Sequence, residues 1–294
     1  MAALGLHSST PVASLRVISV TGGKGGVGKT HLVANLAVLA ARRGLRTVVI
    51  DADTGLASVH VLFGVSANLH VGDVLEGADL DEALLHTPHG PSVLPAASGE
   101  RALTFLAESQ QLSLRAVWDE LAERFDVVLI DCPPGMGRDA LFAAASAERI
   151  VLVATPEPTS LSDAAALAQA LQEHTGARTV DVVVNGTRSE RQGQLAFGRL
   201  QACAASAATP KLVYLGSLPD DHNVRRAAAL SRPLVTLAPA SPAARAIDRL
   251  ACELFDTEPR PLENLGGSAI GLERRLREAE STQPTSPTPG RWLA

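Results

Sequence analysis

Aromatic side chains are scarce in this chain: two tryptophans, one tyrosine and six phenylalanines, 3% of 294 residues. With few large rings and abundant alanine, its core must come from aliphatic and small side chains, which suits helices packed closely on a sheet. Cysteine is scarcer. Cys132, Cys203 and Cys252 are odd in number, far apart and never in a C-x-x-C pair. That predicts no disulfide framework and no thiolate metal site, and fits a reduced, cytoplasmic protein. Cys132 follows an acidic strand end, and buried small-residue packing is the expectation for it. Positive charge is not in excess either: 26 Lys and Arg stand against 31 Asp and Glu, a net −5. No global basic field argues for nucleic acid or an anionic membrane. No apolar run approaches the roughly 20 residues of a membrane span. The first fourteen residues lack the charged start and apolar centre of a signal peptide.

What the chain does have is concentrated in residues 17–30, VISVTGGKGGVGKT. A short β-branched run breaks into glycines and opens a helix. Gly23, Lys24, Gly25, Gly26, Val27, Gly28, Lys29 and Thr30 fit G-x4-G-K-[ST], the phosphate-cradling P-loop. Glycines let the backbone fold around an anion and aim its N–H groups inward. The following helix adds the positive end of its dipole, Lys29 is placed for the β- and γ-phosphates, and the Thr30 hydroxyl for Mg²⁺. A glycine-rich turn with two solvated lysines would look similar. Here, however, the strand before and the helix after are both readable, with Leu32, Val33, Leu36, Leu39 and Ala40 on one face and Gly44 placed as a stop. A nucleotide site is predicted.

At this length the chain can form one large α/β domain or two small ones. Strands are expected at 16–20, 47–51, 92–95, 127–131, 150–155, 180–185 and 212–218. Their apolar runs are continuous rather than alternating, as in strands buried on both faces. Helical stripes lie between and after them, among them Leu114, Val117, Trp118, Leu121 and Phe125, and later Ile247, Leu250, Ala251, Leu254 and Phe255. The alternation predicts an α/β fold with a doubly wound, mostly parallel sheet and function at the carboxyl ends of the strands. The expected organisation is a flexible N-terminus at 1–14, a P-loop ATPase domain at 15–256 and a flexible tail at 257–294, rich in Pro, Ser and Thr. A brief polar helix at 272–280 presents only Leu272 and Leu276, too little for a convincing membrane anchor.

Two further strands end in acids. VVLID closes on Asp131 and turns sharply through CPPG, the form of a Walker B aspartate that holds Mg²⁺ directly or through water. VVIDADTG sets Asp51 and Asp53 two apart, on one side if the strand continues. One of the pair can serve structure while the other positions or activates the attacking water. Such aspartates also simply start loops. Beside a P-loop, three strand ends are expected to form one site.

Lys24, directly after the first P-loop glycine, gives GGKGGVGKT a resemblance to the deviant Walker A motif of the MinD/ParA ATPases. DADTGLASVHVLFG is similar to that family's switch I, IDCPPGMG to its switch II, and TPEPTSLSDAAAL to the segment facing the signature lysine. Asn185 and LGSLPDDHNVRRA resemble its adenine-side loops. The likeness runs over about residues 15–255. VLPAASGERAL, PEPTSLSDA and YLGSLPDDHNVRRA point to the flagellar-number regulators of the FleN/FlhG branch.

The resemblance implies a MinD-like fold and slow ATP hydrolysis with Mg²⁺ in an ATP-sandwiched homodimer. Its implied partners are a flagellar enhancer-binding transcription activator and the FlhF GTPase, with no direct nucleic acid and only weak or indirect membrane contact. By the same likeness, residues 23–30 bind the phosphates and Thr30 holds Mg²⁺. Lys24 reaches across the dimer, with Glu157 and Asp163 contacting it there. Asp53 is the hydrolytic aspartate and, with Asp131, supports the Mg²⁺ shell. Asn185, Pro219, Asp220, Asp221 and Arg225 lie near the adenine. Departures are Ser58 and His60, where many relatives carry Asn and Asp, and an N-terminus without the Asp-Gln-Ala motif of some FlhG proteins. The same chemistry also serves MinD in division-site selection and ParA in DNA segregation. MinD would favour a terminal Lys-rich amphipathic helix, and ParA a basic surface or DNA-binding extension. An iron–sulfur carrier would need paired cysteines. A non-hydrolysing scaffold would bind ATP without turnover.

Overall fold

The computed structural model describes residues 15–53, 59–96, 108–205 and 209–256. The termini at 1–14 and 257–294, the 54–58 segment with Ser58, and the ASGERAL part of the flagellar-branch pointer lie outside these. Eight strands form one sheet: β1 Arg16–Thr21, β2 Thr47–Asp51, β3 Leu85–His86, β4 Ser92–Leu94, β5 Val127–Asp131, β6 Arg149–Ala154, β7 Thr179–Thr187 and β8 Lys211–Pro219. Their order is β3-β4-β2-β5-β1-β6-β7-β8, and only β3 pairs antiparallel. β1 lies where the winding reverses direction, the place at which α/β sheets open a crevice beyond their carboxyl ends.

Helices cover both faces. They are α1 Lys29–Arg42, α2 Val59–Leu62, α3 Val71–Leu75, α4 Leu80–Ala83, α5 Glu108–Arg124, α6 Arg138–Ala145, α7 Pro158–Thr175, α8 Glu190–Cys203, α9 His222–Ala229, α10 Leu234–Leu237 and α11 Pro242–Phe255. Strand alternation divides the core into two layers. Val17, Val128, Ile130, Leu152 and Val182 pack toward α5, α6, α7 and α8. Ile18, Val20, Val49, Leu129, Val151 and Val153 pack toward α1, α10 and α11. Period-2 alternation therefore aims Asp51 and Asp131, at the ends of β2 and β5, to the α1 side of the sheet.

Three expectations change. α1 is not buried on one face only: every residue from Leu32 to Ala40 is buried, because α11, α10 and α2 cover its outer side. A helix apolar all round is one enclosed on all sides. The 212–218 strand is a half-exposed sheet edge rather than a strand buried on both faces. The two-residue β3 was not among the expected strands, its apolar run being too short to register. Gly44 does end α1, at φ 81°, with its N–H donated to the Ala41 carbonyl.

The far end of α11 is tied to the sheet by two arginines. Arg16 donates to the Phe255 carbonyl, and Arg149 to that of Glu253 while pairing with the buried Asp181. These bonds satisfy carbonyls that a helix end leaves open. Removing one member of a buried ion pair strands the other. Arg149→Ala is therefore expected to lower unfolding free energy by ~3–5 kcal/mol in urea titrations. Arg149→Met combined with Asp181→Leu should recover most of that loss.

Candidate active site

The chain leaves β1 at Thr21 and turns through Gly22 to Gly28 before α1 begins at Lys29. Gly26 and Gly28 hold φ of 78° and 99°, conformations that disfavour any side chain. A Cβ on Gly28 would come within 2.3 Å of the Asn185 amide nitrogen, and one on Gly23 within 2.5 Å of the Asp163 backbone. Gly25 and Gly26 face open space and are exposed. No side chain caps α1, and its first turn carries no acid. The helix thus presents its N–H groups and positive dipole end to whatever anion the loop holds.

The two lysines of the loop are placed very differently. Lys29 is 7% exposed. Lys24 is about a third exposed and forms a 2.9 Å ion pair with Glu157. Glu157 precedes Pro158 at the start of α7, and Asp163 lies on the same helix against Gly23. The structure thus brings Lys24, Glu157 and Asp163 to one edge of the P-loop within a single chain.

On the sheet side, Asp51 and Asp131 are register partners of β2 and β5, 0% and 1% exposed. Burial pushes the Asp131 carboxyl up to about 8, the neighbouring charge of Asp51 adds to this, and Thr30 and Lys29 oppose it. The Thr30 side chain lies close enough to Asp131 to favour its ionised form. The Asp131 Oδ1 is buried without a hydrogen-bond partner among the described residues. An unpaired carboxylate oxygen beside a threonine hydroxyl at the mouth of a P-loop is a hard-oxygen donor set that fits Mg²⁺. Asp53 follows just past β2, partly exposed, its N–H donated to Asp51 Oδ1 at 3.1 Å. Burial raises the Cys132 thiol well above its usual range, leaving it an inert part of the core.

The loops expected near a base divide. Asn185 Nδ2 donates to the Val27 carbonyl at 2.8 Å, so this side chain braces the back of the P-loop. Asp221 is buried and spends its carboxylate internally, accepting from Asn223 and from the Ala243 N–H. Burial tends to raise its pKa, but these N–H donors hold it below the usual range. Pro219 and Asp220 end β8, and Asp220 and Arg225 remain exposed. The bracing contact of Asn185 has no local sequence signal, since 158 residues separate the partners.

A ParA family model, described as NUBPL iron-transfer P-loop NTPase, matches residues 14–255. The chain belongs to the ParA family of P-loop NTPases. It is 34% identical to the antiactivator FleN of Pseudomonas aeruginosa over 264 residues, 90% of this chain and 94% of FleN. It is 28% identical to the flagellum site-determining protein YlxH of Helicobacter pylori, across 80% of each. Its fold matches the septum site-determining protein MinD of Pyrococcus horikoshii, solved with Mg-ADP. There the TM-score is 0.67 and identity 29%, covering 82% of this chain and 96% of that one. As a MinD/ParA-type protein the chain is an ATPase.

Two outcomes follow from this geometry. Folding raises the Asp131 carboxyl to about 8, so the folded chain retains a proton there that the unfolded chain has released. Its contribution therefore favours the fold at low pH and is lost as pH rises through about 8. The nucleotide-free ATPase should lose thermal stability as pH rises from about 4 to about 8, and Asp131→Asn should flatten that slope in scanning calorimetry. Separately, Gly28→Ala places a methyl group against Asn185 at a positive φ, and should weaken ATP binding by at least ~10-fold in calorimetric titration.

Proposed function

We propose that this ParA-family ATPase is a nucleotide-dependent dimeric switch that restrains flagellar gene expression. In this reading Gly23 to Thr30 take the phosphates of ATP, with Lys29 pairing the β- and γ-phosphates. Thr30 and Asp131 would hold Mg²⁺, which neutralises phosphate charge when bound. Asp53 directs the attacking water, and exposed loop residues such as Asp220 and Arg225 lie on the base side. Residues 15–256 act as the ATPase domain.

The observation that carries the switch is the placement of Lys24. Lys29 is buried where the phosphates must lie, so the loop has its phosphate lysine in cis. Lys24 instead sits at the rim, paired to a glutamate that is itself 66% exposed. A rim lysine gains most when a second chain brings a triphosphate opposite it. Two copies meeting this way form a symmetric, self-complementary interface. ATP then binds the paired form better than the single one and shifts the equilibrium toward it.

The likeness to FleN over nearly the full length of both proteins supports the flagellar branch, with a FleQ-like enhancer-binding activator as the implied target and FlhF as a second partner. The three cysteines lie on separate elements, Cys132 after β5, Cys203 at the end of α8 and Cys252 in α11. That spread gives no support to an iron–sulfur carrier.

Lys29→Ala removes a charge-assisted contact worth ~1.5–3 kcal/mol and should cost ATP affinity at least ~10-fold. In sedimentation with hydrolysis blocked, the wild type should pair with ATP but not ADP, while Lys24→Ala stays single. A mutant that pairs as well as wild type would remove the sandwich mechanism. For the biological branch, deleting the gene should raise the number of flagella per cell by electron microscopy. Unchanged flagella with a displaced division plane would instead place the chain beside the septum-site proteins.

A further inference from the structure

Asp51 ends β2 with its carboxylate completely buried. Its two oxygens serve different partners. Oδ1 accepts the N–H of Asp53 at 3.1 Å, two residues on. Oδ2 accepts the N–H of Val59 at 3.1 Å, eight residues on and at the first position of α2. The first contact alone would be ordinary turn chemistry of an aspartate. The second is not local, and it joins the same carboxylate to a separate element.

We infer that Asp51 is the positioning residue of the hydrolytic centre, a single carboxylate that ties the backbone of Asp53 to the start of α2. The inference rests on the reading of Asp53 as the residue that directs water. The register shows why a tie is needed. β2 and β5 pair as far as Asp51 and Asp131, and Ala52 still donates its N–H to the Asp131 carbonyl at 2.9 Å. Asp53 lies beyond that ladder, so strand pairing does not set its position, and its N–H turns to Asp51 instead.

The side chain must be a carboxylate. Two N–H donors approach two different oxygens, and the amide nitrogen of an asparagine accepts neither. Neighbouring Asp131 differs, because its Oδ1 has no N–H partner among the described residues. The two buried acids thus differ: Asp131 keeps an oxygen without a donor among the described residues, whereas Asp51 accepts a backbone N–H at each of its oxygens.

A small error in the placement of a water-directing group is costly, on the order of 100-fold in rate for a displacement near 1 Å. Asp51→Asn, which keeps one acceptor oxygen, is expected to lower kcat by ~10-fold, and Asp51→Ala by ~100-fold. ATP affinity should stay within ~3-fold in both, because the loss falls on the transition state rather than on binding. Val59→Pro deletes the second donor while leaving the Asp51 charge in place, at a first helical position where the ring is tolerated. It should slow kcat in the same direction, by ~10-fold.

The deciding measurement is single-turnover hydrolysis by the full chain carrying Asp53→Asn, with and without Asp51→Asn. If Asp51 acts through Asp53, the second substitution changes the residual rate by less than ~2-fold. An equal loss in both backgrounds would mean that Asp51 works through the cation or the fold, and would overturn the inference. So would Asp51→Asn and Val59→Pro both turning over as wild type while Asp53→Asn is slow. Normal turnover by Asp53→Asn alone would instead remove the reading of Asp53 on which the inference stands.

Discussion

Two carboxylates side by side in a dry sheet end are the constraint around which the rest of this site is arranged. Parallel register sets Asp51 next to Asp131 with almost no solvent exposure. Adjacent strands run ~4.8 Å apart. At that spacing two negative charges repel by ~3 kcal/mol even at an effective dielectric of 20. The chain resolves the conflict asymmetrically. Asp51 is given backbone donors from Asp53 and Val59. Asp131 is pushed toward its protonated form, with Thr30 and buried Lys29 drawing it back. Replacing that proton with a divalent cation would relieve both the burial cost and the repulsion. The electrostatic tension of the nucleotide-free fold thus points to the ligand chemistry of the site.

Backbone bonds lace the P-loop to its neighbours. Cys132 donates to the Val20 carbonyl and Gly135 to that of Gly22, so the loop after β5 runs along the start of the phosphate loop. From the other side Asn185 braces Val27. A shift of the loop when phosphate arrives must therefore be felt by β5 and β7 alike, through bonds near 3 Å rather than through any long path. The lacing follows from putting β1 at the centre of the sheet, with β5 and β6 as its immediate neighbours.

How much of this was legible in the sequence depended on how local the signal was. The seven longer strands, the P-loop and the acids at the ends of β2 and β5 are written in contiguous residues, and the structure places them as the run of types suggests. The burial of α1 on all sides was not, because its outer cover comes from α11, more than two hundred residues later. The edge position of β8 was equally hidden, since its sequence resembles that of a central strand. Asp221 reads like a loop residue facing a ligand, yet its carboxylate is taken up by donors as distant as Ala243. Asp51 is, by sequence, one of two acids able to serve structure or chemistry, and it is the bond to Val59 that separates the roles. For α1 and Asp221 the missing information was a partner far away in sequence, for Asp51 a donor eight residues on, and for β8 its place at the end of the strand order.

Lys24 shows how exposure decides what a charge is able to do. Its pair with Glu157 has good geometry at 2.9 Å, but both side chains meet solvent. Ion pairs of that kind contribute ~0–1 kcal/mol, because water and salt compete for each partner. Lys29, by contrast, is enclosed beside Asp131 and is part of the electrostatic balance of the fold. The loop therefore carries one lysine whose position is fixed by burial and one held by a bond weak enough to exchange. A stronger, multivalent anion arriving at the rim would outcompete a single solvated glutamate for Lys24 at small cost to the fold. Nothing of that kind holds for Lys29, whose removal would leave Asp131 without an opposing positive charge at the buried strand end.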